Sequence, residues 1–434
     1  MSKIKPLELQ LLSNLDGYGF IDGLWQKYIK PIKRRQQYSQ YLLLALLLIG
    51  MFHPTSWNME ISVVFRRSSL YLLNILLFIL LLLNGLGDRK AYRCALAIPL
   101  VLFVATFFSS LQDVHLGAYV AFLPMSLLFC VNLKGVSWSI LLSGVWGVVN
   151  VTIIISSFAI VYDVLMFESF FMNLYSAFTH SLLPNMLYQN KPVSFFSSHS
   201  IASFVYFMFF FVNFKIFQHC RKNIYILFAI FYVIFLFFLR SSSSYYSLII
   251  VLFVFVVYSF NILIQYKKNI LITLFIVAGS LLLVNYYSNN LLYNDLMNFF
   301  CFVEKRLSSP GNGFLGRYSA NGVLFGNVQY IKENPFFPVG FRSSSQFWFM
   351  DSGIIEYMLR GSVFLVFAIY YSLFRFLRFH LPSRSTYWLI FIIIFINELG
   401  FPYLKYFRFM FMFPFLVVYL RHLELDFPLK KAQG

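Results

Sequence analysis

From about residue 38 to residue 421 the chain alternates long apolar runs with short polar interruptions. A helix needs ~20 apolar residues to cross a bilayer, and the runs predict about twelve crossings. They fall at roughly 38–53, 69–85, 94–110, 117–133, 137–162, 199–217, 224–239, 245–265, 270–286, 350–374, 386–402 and 404–421. Several are shorter than a full crossing, so their ends are expected to shift. Two connections are long, 163–198 and 287–349. The second holds Pro310, Gly311, Gly313, Gly316, Pro335, Pro338 and Gly340, a spacing that predicts turns and short helices. Before the first run, Leu7, Leu11, Leu15, Leu24, Trp25 and Tyr28 mark an amphipathic segment suited to lie on headgroups. No small-residue cleavage site follows it, so it does not read as a cleaved signal peptide.

Composition agrees with this pattern: 60% of the 434 residues are hydrophobic and only 12% charged, about half the usual charged share. The predicted fold is an all-α polytopic membrane protein with no large soluble domain. It divides into a cytoplasmic basic tail (1–37), one transmembrane bundle (38–421) and a second cytoplasmic tail (422–434). Of 34 Lys and Arg, 22 fall in the amino-terminal tail and alternate connections, which places both termini in the cytoplasm and the two long connections outside. Orientation and anionic lipid account for most of the net charge of +18, and no nucleic-acid partner is implied.

Some chemistry is missing from the sequence. There is no phosphate-binding glycine loop, paired-histidine zinc spacing or nucleophile elbow. Neither a metal nor an organic cofactor is predicted. No internal repeat pairs the two halves, which counts against a transporter. Of four cysteines only Cys301 is predicted outside, so no disulfide framework is expected.

The charges that topology leaves unexplained are the informative ones. Asp351, Glu356 and Glu398 lie at or inside outer ends of apolar runs, where a charge costs up to ~2.5–3.5 kcal/mol at mid-span and less near the interface. Asp351 is positioned to cap the tenth helix. Glu356 and Arg360, four apart, suit an in-helix ion pair, and Glu398 suits Lys405 or Arg408 across the turn at Pro402. On the outer side Arg240 precedes four serines, Arg317 stands in GFLGRYSANG and Arg342 in PVGFRSSS. A guanidinium fork matches phosphate oxygens, and neighbouring hydroxyls and backbone N–H groups would complete an anion site. Lipid-headgroup snorkelling is the competing account of each arginine alone. Tyr318, Tyr330, Phe347 and Trp348 suit packing or stacking on sugar rings. His199 reads as a buried polar residue or a site residue.

The order KPVSFFSSHSIASFVYFMFF (191–210), FLRSSSSYYSLII (238–250), GRYSANGVLFGNVQYIKENPFFPVGF (316–341) and DSGIIEYMLRGS (351–362) resembles the O-antigen polymerase and O-antigen ligase superfamily. The resemblance implies a bacterial cytoplasmic-membrane glycosyltransferase acting on polyprenyl-diphosphate-linked glycans at the outer face. It assigns Arg240 and Arg317 to the diphosphate, with Arg342 a third. The ligase branch carries histidine where the tenth span begins; Asp351 stands there instead, which favours the polymerase. The expected reaction moves a growing glycan from its polyprenyl diphosphate to a hydroxyl of an incoming lipid-linked repeat unit. Asp351 is the expected catalytic base, and no metal is required. Glu356, Tyr318 and His199 are further candidate substrate-binding residues. The implied partners are lipid-linked donor and acceptor, membrane lipid and a chain-length regulator. A ligase delivering finished glycan to another acceptor and a flippase of the same lipid-linked material remain alternatives.

Overall fold

The computed structural model describes residues 32–52, 59–108, 119–165, 192–194, 196, 199–239, 241–265, 297, 301, 318, 322–341, 347 and 352–426. These residues are mostly helical, and no strand occurs among them; Leu86 and Val131 form one isolated antiparallel bridge. The helices are α1 (Ile32–Phe52), α2 (Met59–Asn84), α3 (Arg89–Phe108), α4 (Leu123–Cys130), α5 (Ile140–Leu165) and α6 (His199–Cys220). They continue as α7 (Asn223–Phe238), α8 (Ser242–Gln265), α9 (Phe325–Glu333), α10 (Gly353–His380), α11 (Arg384–Glu398) and α12 (Phe407–Asp426). A 3₁₀ turn, Tyr403–Lys405, joins the last two.

Among the described residues four stretches are long and apolar enough to cross a membrane: Arg89–Phe108, Ile140–Ala159, His199–Cys220 and Gly353–His380. The fourth predicted span is interrupted: residues 119–120 are helical, 121–122 form a turn, and Leu123–Cys130 is helix again. Leu123–Cys130 by itself reaches about 12 Å, and the residues before 119 lie outside the described residues. The predicted span at 270–286 lies outside the described residues.

Helix α6 is the centre. Residues Ile201 to Gln218 are buried without interruption, because α7, α8 and α12 enclose it. A helix apolar nearly all round has no face to turn to water, and here its neighbours also cover it from lipid. Helix α3 is sided instead: Ala91, Ala95, Ile98, Leu102 and Ala105 are buried and recur every three or four residues. This stripe seats α3 against α10, its main neighbour. The other face exposes Leu96, Leu100, Phe103 and Phe107, an apolar surface suited to lipid.

Where polar side chains enter the core they pair with one another. Asn150 Oδ1 accepts from Asn213 Nδ2 at 2.6 Å and from the Tyr232 hydroxyl at 2.9 Å, and Trp146 Nε1 donates to Asn213 Oδ1 at 3.1 Å. This set ties α5, α6 and α7 together. Such bonds between membrane helices contribute about 0.6–2 kcal/mol each. All four cysteines are free thiols, with Cys301 exposed.

Candidate functional site

Helix α10 starts one residue later than the sequence suggests. Ser352, not Asp351, is its N-cap: the Ser352 hydroxyl accepts from the Ile355 N–H at 3.4 Å. Asp351 lies outside the described residues. One turn into the helix, Glu356 is wholly buried. Its Oε1 is ion-paired with Lys405 and lies 3.9 Å from Arg360 Nε, the expected partner four residues on. Its Oε2 has no hydrogen-bond partner among the described residues. Arg360 Nη1 donates to the Gly340 carbonyl at 2.8 Å, and its guanidinium lies 5.6 Å from the Phe341 ring centre. The turn Val339–Phe341 is thereby fastened to α10, and the Val339 N–H adds a 2.7 Å bond to the Leu359 carbonyl.

That bond meets a break. Gly361 (φ −145°, ψ 19°) and Ser362 (φ 59°, ψ −167°) are not helical, so α10 is two helices sharing one axis region. Ser362 occupies a region of backbone space normally reserved for glycine, at a cost of ~1–3 kcal/mol. Gly361 allows the break sterically: a Cβ there would sit 2.5 Å from Leu365 Cβ. Non-helical backbone at membrane depth persists only where protein encloses it, and the 339–341 turn encloses this one.

The sequence expectation for Glu398 is also corrected. Lys405 pairs with Glu356, and Arg408 donates instead to the Met51 carbonyl on α1 at 3.4 Å. Glu398 accepts the Leu404 N–H on Oε1 at 2.5 Å. Its Oε2 lies against the first residue of α10: a Cβ on Gly353 would be 1.7 Å from that oxygen. The carboxylate therefore sits at a helix N-terminus, where the dipole favours negative charge. Tyr357 is buried beside it.

Around this acidic centre several elements meet. The Tyr403 hydroxyl donates to the Ser200 carbonyl at 2.7 Å, Ser243 Oγ donates to Ser200 Oγ at 3.4 Å, and the Tyr318 hydroxyl donates to the Leu399 carbonyl at 2.7 Å. The Tyr403 ring lies 4.2 Å from that of Phe204. The starts of α6, α8, α10 and α12, the end of α11 and the 339–341 turn thus share one end of the bundle.

The residues predicted from sequence divide sharply. Arg240, Arg317, Arg342 and Asp351 lie outside the described residues. Their described neighbours Ser241, Tyr318, Phe341 and Ser352 all belong to this end. The serines after Arg240 are partly committed: Ser241 Oγ accepts the Ser244 N–H at 3.2 Å, capping α8, and Ser244 Oγ donates to the Ser241 carbonyl at 2.8 Å. His199 opens α6 and is half-buried. Tyr318 is anchored through its hydroxyl as described. Among the described residues no three His, Cys, Asp or Glu side chains group closely enough to share a metal ion. Sequence reading missed the Glu356–Lys405 pair, the Gly353 contact and the helix break. Only the break left a local signal, the Gly-Ser dipeptide inside an apolar run.

No protein-family model, no curated protein and no solved structure matches the chain.

Proposed function

We propose that the protein is a polysaccharide polymerase of a bacterial cytoplasmic membrane, with about twelve crossings, both termini in the cytoplasm and the acidic centre at the outer surface. The support is one observation: the described neighbours of all four sequence-predicted reacting residues, separated by up to 111 positions between Ser241 and Ser352, converge on one end of the bundle. In the proposed reaction a hydroxyl of the lipid-linked acceptor unit attacks the anomeric carbon of the donor glycan. A new glycosidic C–O bond forms as the C–O bond to the polyprenyl diphosphate breaks. Asp351 takes the hydroxyl proton, and Arg240, Arg317 and Arg342 stabilise the charge gathering on the departing diphosphate. Glu356 contributes indirectly. Buried and ion-paired, it holds Lys405 and Arg360 and so fixes the 339–341 turn beside the site.

The test is reconstitution of the purified protein with one lipid-linked repeat unit, read as a ladder on a gel. The wild type is expected to build polymer without another acceptor, and Asp351→Asn to leave single units on the carrier. A ligase would build no ladder until a separate acceptor was added. The broken helix α10 favours a second reading, transport of the lipid-linked unit, because discontinuous helices mark many transporter sites. Movement of labelled units across vesicles without ladder formation would select that reading.

A further inference from the structure

At the other end of the bundle from the acidic centre, a cavity of about 520 Å³ opens between the end of α10, the start of α11 and the end of α12. Lys134, Arg378, Arg384 and Arg421 line it, and no carboxylate stands among its described lining residues. The nearest acids are engaged elsewhere. Asp88 grips Arg375 with both oxygens, at 2.9 and 3.0 Å, and Glu424 is taken by the Ser383 N–H and the Thr386 hydroxyl. Ordinary basic residues at a membrane surface fan outward into water; these face one concavity.

The cavity is built rather than incidental. Its floor is His380, 2% exposed, whose Nε2 accepts the Leu133 N–H at 2.9 Å while Nδ1 meets the Phe376 carbonyl at 2.8 Å. Arg421 Nη1 donates to the Leu133 and Lys134 carbonyls, at 3.3 and 2.5 Å, and so ties α12 to the 131–139 connection. Lys134 Nζ lies 3.6 Å from the Phe379 ring centre. Partial burial and the Arg421 charge push the Lys134 ammonium below its usual range, with Asp88 pulling the other way. Cations held this close repel one another, and an anion between them relieves the repulsion. Leu381 and Leu425 add apolar wall, and Leu425 is exposed. An adjoining cavity of about 220 Å³ shares Lys134 and Arg378 but includes Asp88, which disfavours an anion there.

We infer that the larger cavity binds a phosphate group, and that the group is the headgroup phosphate of an anionic phospholipid whose chains pass over Leu381 and Leu425. Four cations suit a phosphate diester, guanidinium forks match its oxygens, and the volume lies within the range of small-molecule sites. The inference is independent of the proposed polymerase reaction, because its readout is binding.

The test uses the full-length protein in mild detergent, titrated with dioctanoyl phosphatidylglycerol, dioctanoyl phosphatidylcholine or inorganic phosphate and followed by native mass spectrometry. Phosphatidylglycerol is expected to bind on the order of tenfold more tightly than phosphatidylcholine, and inorganic phosphate to displace it only in large excess. Arg378 and Arg384 are exposed, so replacing both should leave the fold intact. Arg378→Gln with Arg384→Gln is expected to weaken phosphatidylglycerol on the order of tenfold, with thermal unfolding unchanged, and Lys at both positions to restore most of the loss. Equal binding of the two lipids, or undiminished binding in the double Gln variant, overturns the site. Displacement by equimolar inorganic phosphate overturns the lipid as the source.

Discussion

At its first turns α10 buries Glu356 between Lys405 and Arg360, whereas at its last turns it sets Arg375, Arg378 and His380 beside Lys134 and Arg421. The first group is largely sealed and centred on one buried carboxylate that both cations share. The second is open, with cations outnumbering acids. A sealed ion pair contributes little net stability but penalises loss of either partner, so its physical role is to fix geometry. An open cluster of like charge does the reverse: it leaves attraction unspent and available to a ligand. The break at Gly361–Ser362 lies between the two, close to the sealed group.

The comparison breaks most visibly at Glu356. Glu356→Gln removes the charge that Lys405 and Arg360 share and leaves two cations in a low-dielectric site. The expected loss is about 3–5 kcal/mol, measured as thermal or denaturant unfolding in detergent. Pairing it with Lys405→Met should recover a substantial part. The same Glu→Gln change at Glu424, which faces the open end, should cost less. Equal losses at both positions would mean that the sealed and open ends do not differ in the way described.

A smaller effect is expected at Gly353. Alanine there places a methyl against Glu398 Oε2 and 3.2 Å from Pro402 Cα, so the carboxylate must leave the helix N-terminus or α10 must shift. Overpacking of this kind costs about 1–3 kcal/mol. Adding Glu398→Ala opens the space, and the double variant should be more stable than the sum of the single losses predicts. Strict additivity would show that the two residues do not touch.

How much of this was legible in the sequence depends on distance along the chain. Apolar runs located several helices within a few residues, since burial and helix length act locally: 224–239 became Asn223–Phe238 and 386–402 became Arg384–Glu398, whereas 69–85 begins ten residues early, at Met59. The Glu356–Arg360 pair was readable because four residues make one helical turn. The stronger partner, Lys405, was not, because 49 positions separate it from Glu356 and only folding joins them. Glu398 was read as an ion-pair member because composition shows charges and not backbone N–H groups, yet a backbone donor is what it received. Within the run at 117–133 a turn at 121–122 was not legible, and the hydrophobicity of Leu123–Cys130 serves packing between α2, α3 and α10.

The mildest prediction separates the two jobs of Asp88 at the open end. Its Oδ2 accepts the Ala91 N–H at 3.0 Å, capping α3, while both oxygens hold Arg375. Asparagine caps a helix about as well as aspartate, so Asp88→Asn should remove the ion pair and keep the cap. For a partly buried surface pair the expected loss at neutral pH is about 0.5–1 kcal/mol. Partial burial alone would raise the Asp88 carboxyl, but Arg375 and the N–H groups of Ala91 and Lys90 together hold it below its ordinary range. A carboxylate lowered in the folded state contributes stability that is fully present above its unfolded value of about 4 and is lost as pH falls through the folded value. The gap between wild type and Asp88→Asn should therefore persist at pH values near and above 4 and close only in stronger acid. A gap that stays constant down to about pH 2 would assign the effect to the cap, and with it remove the reason why no acid remains for the neighbouring cations.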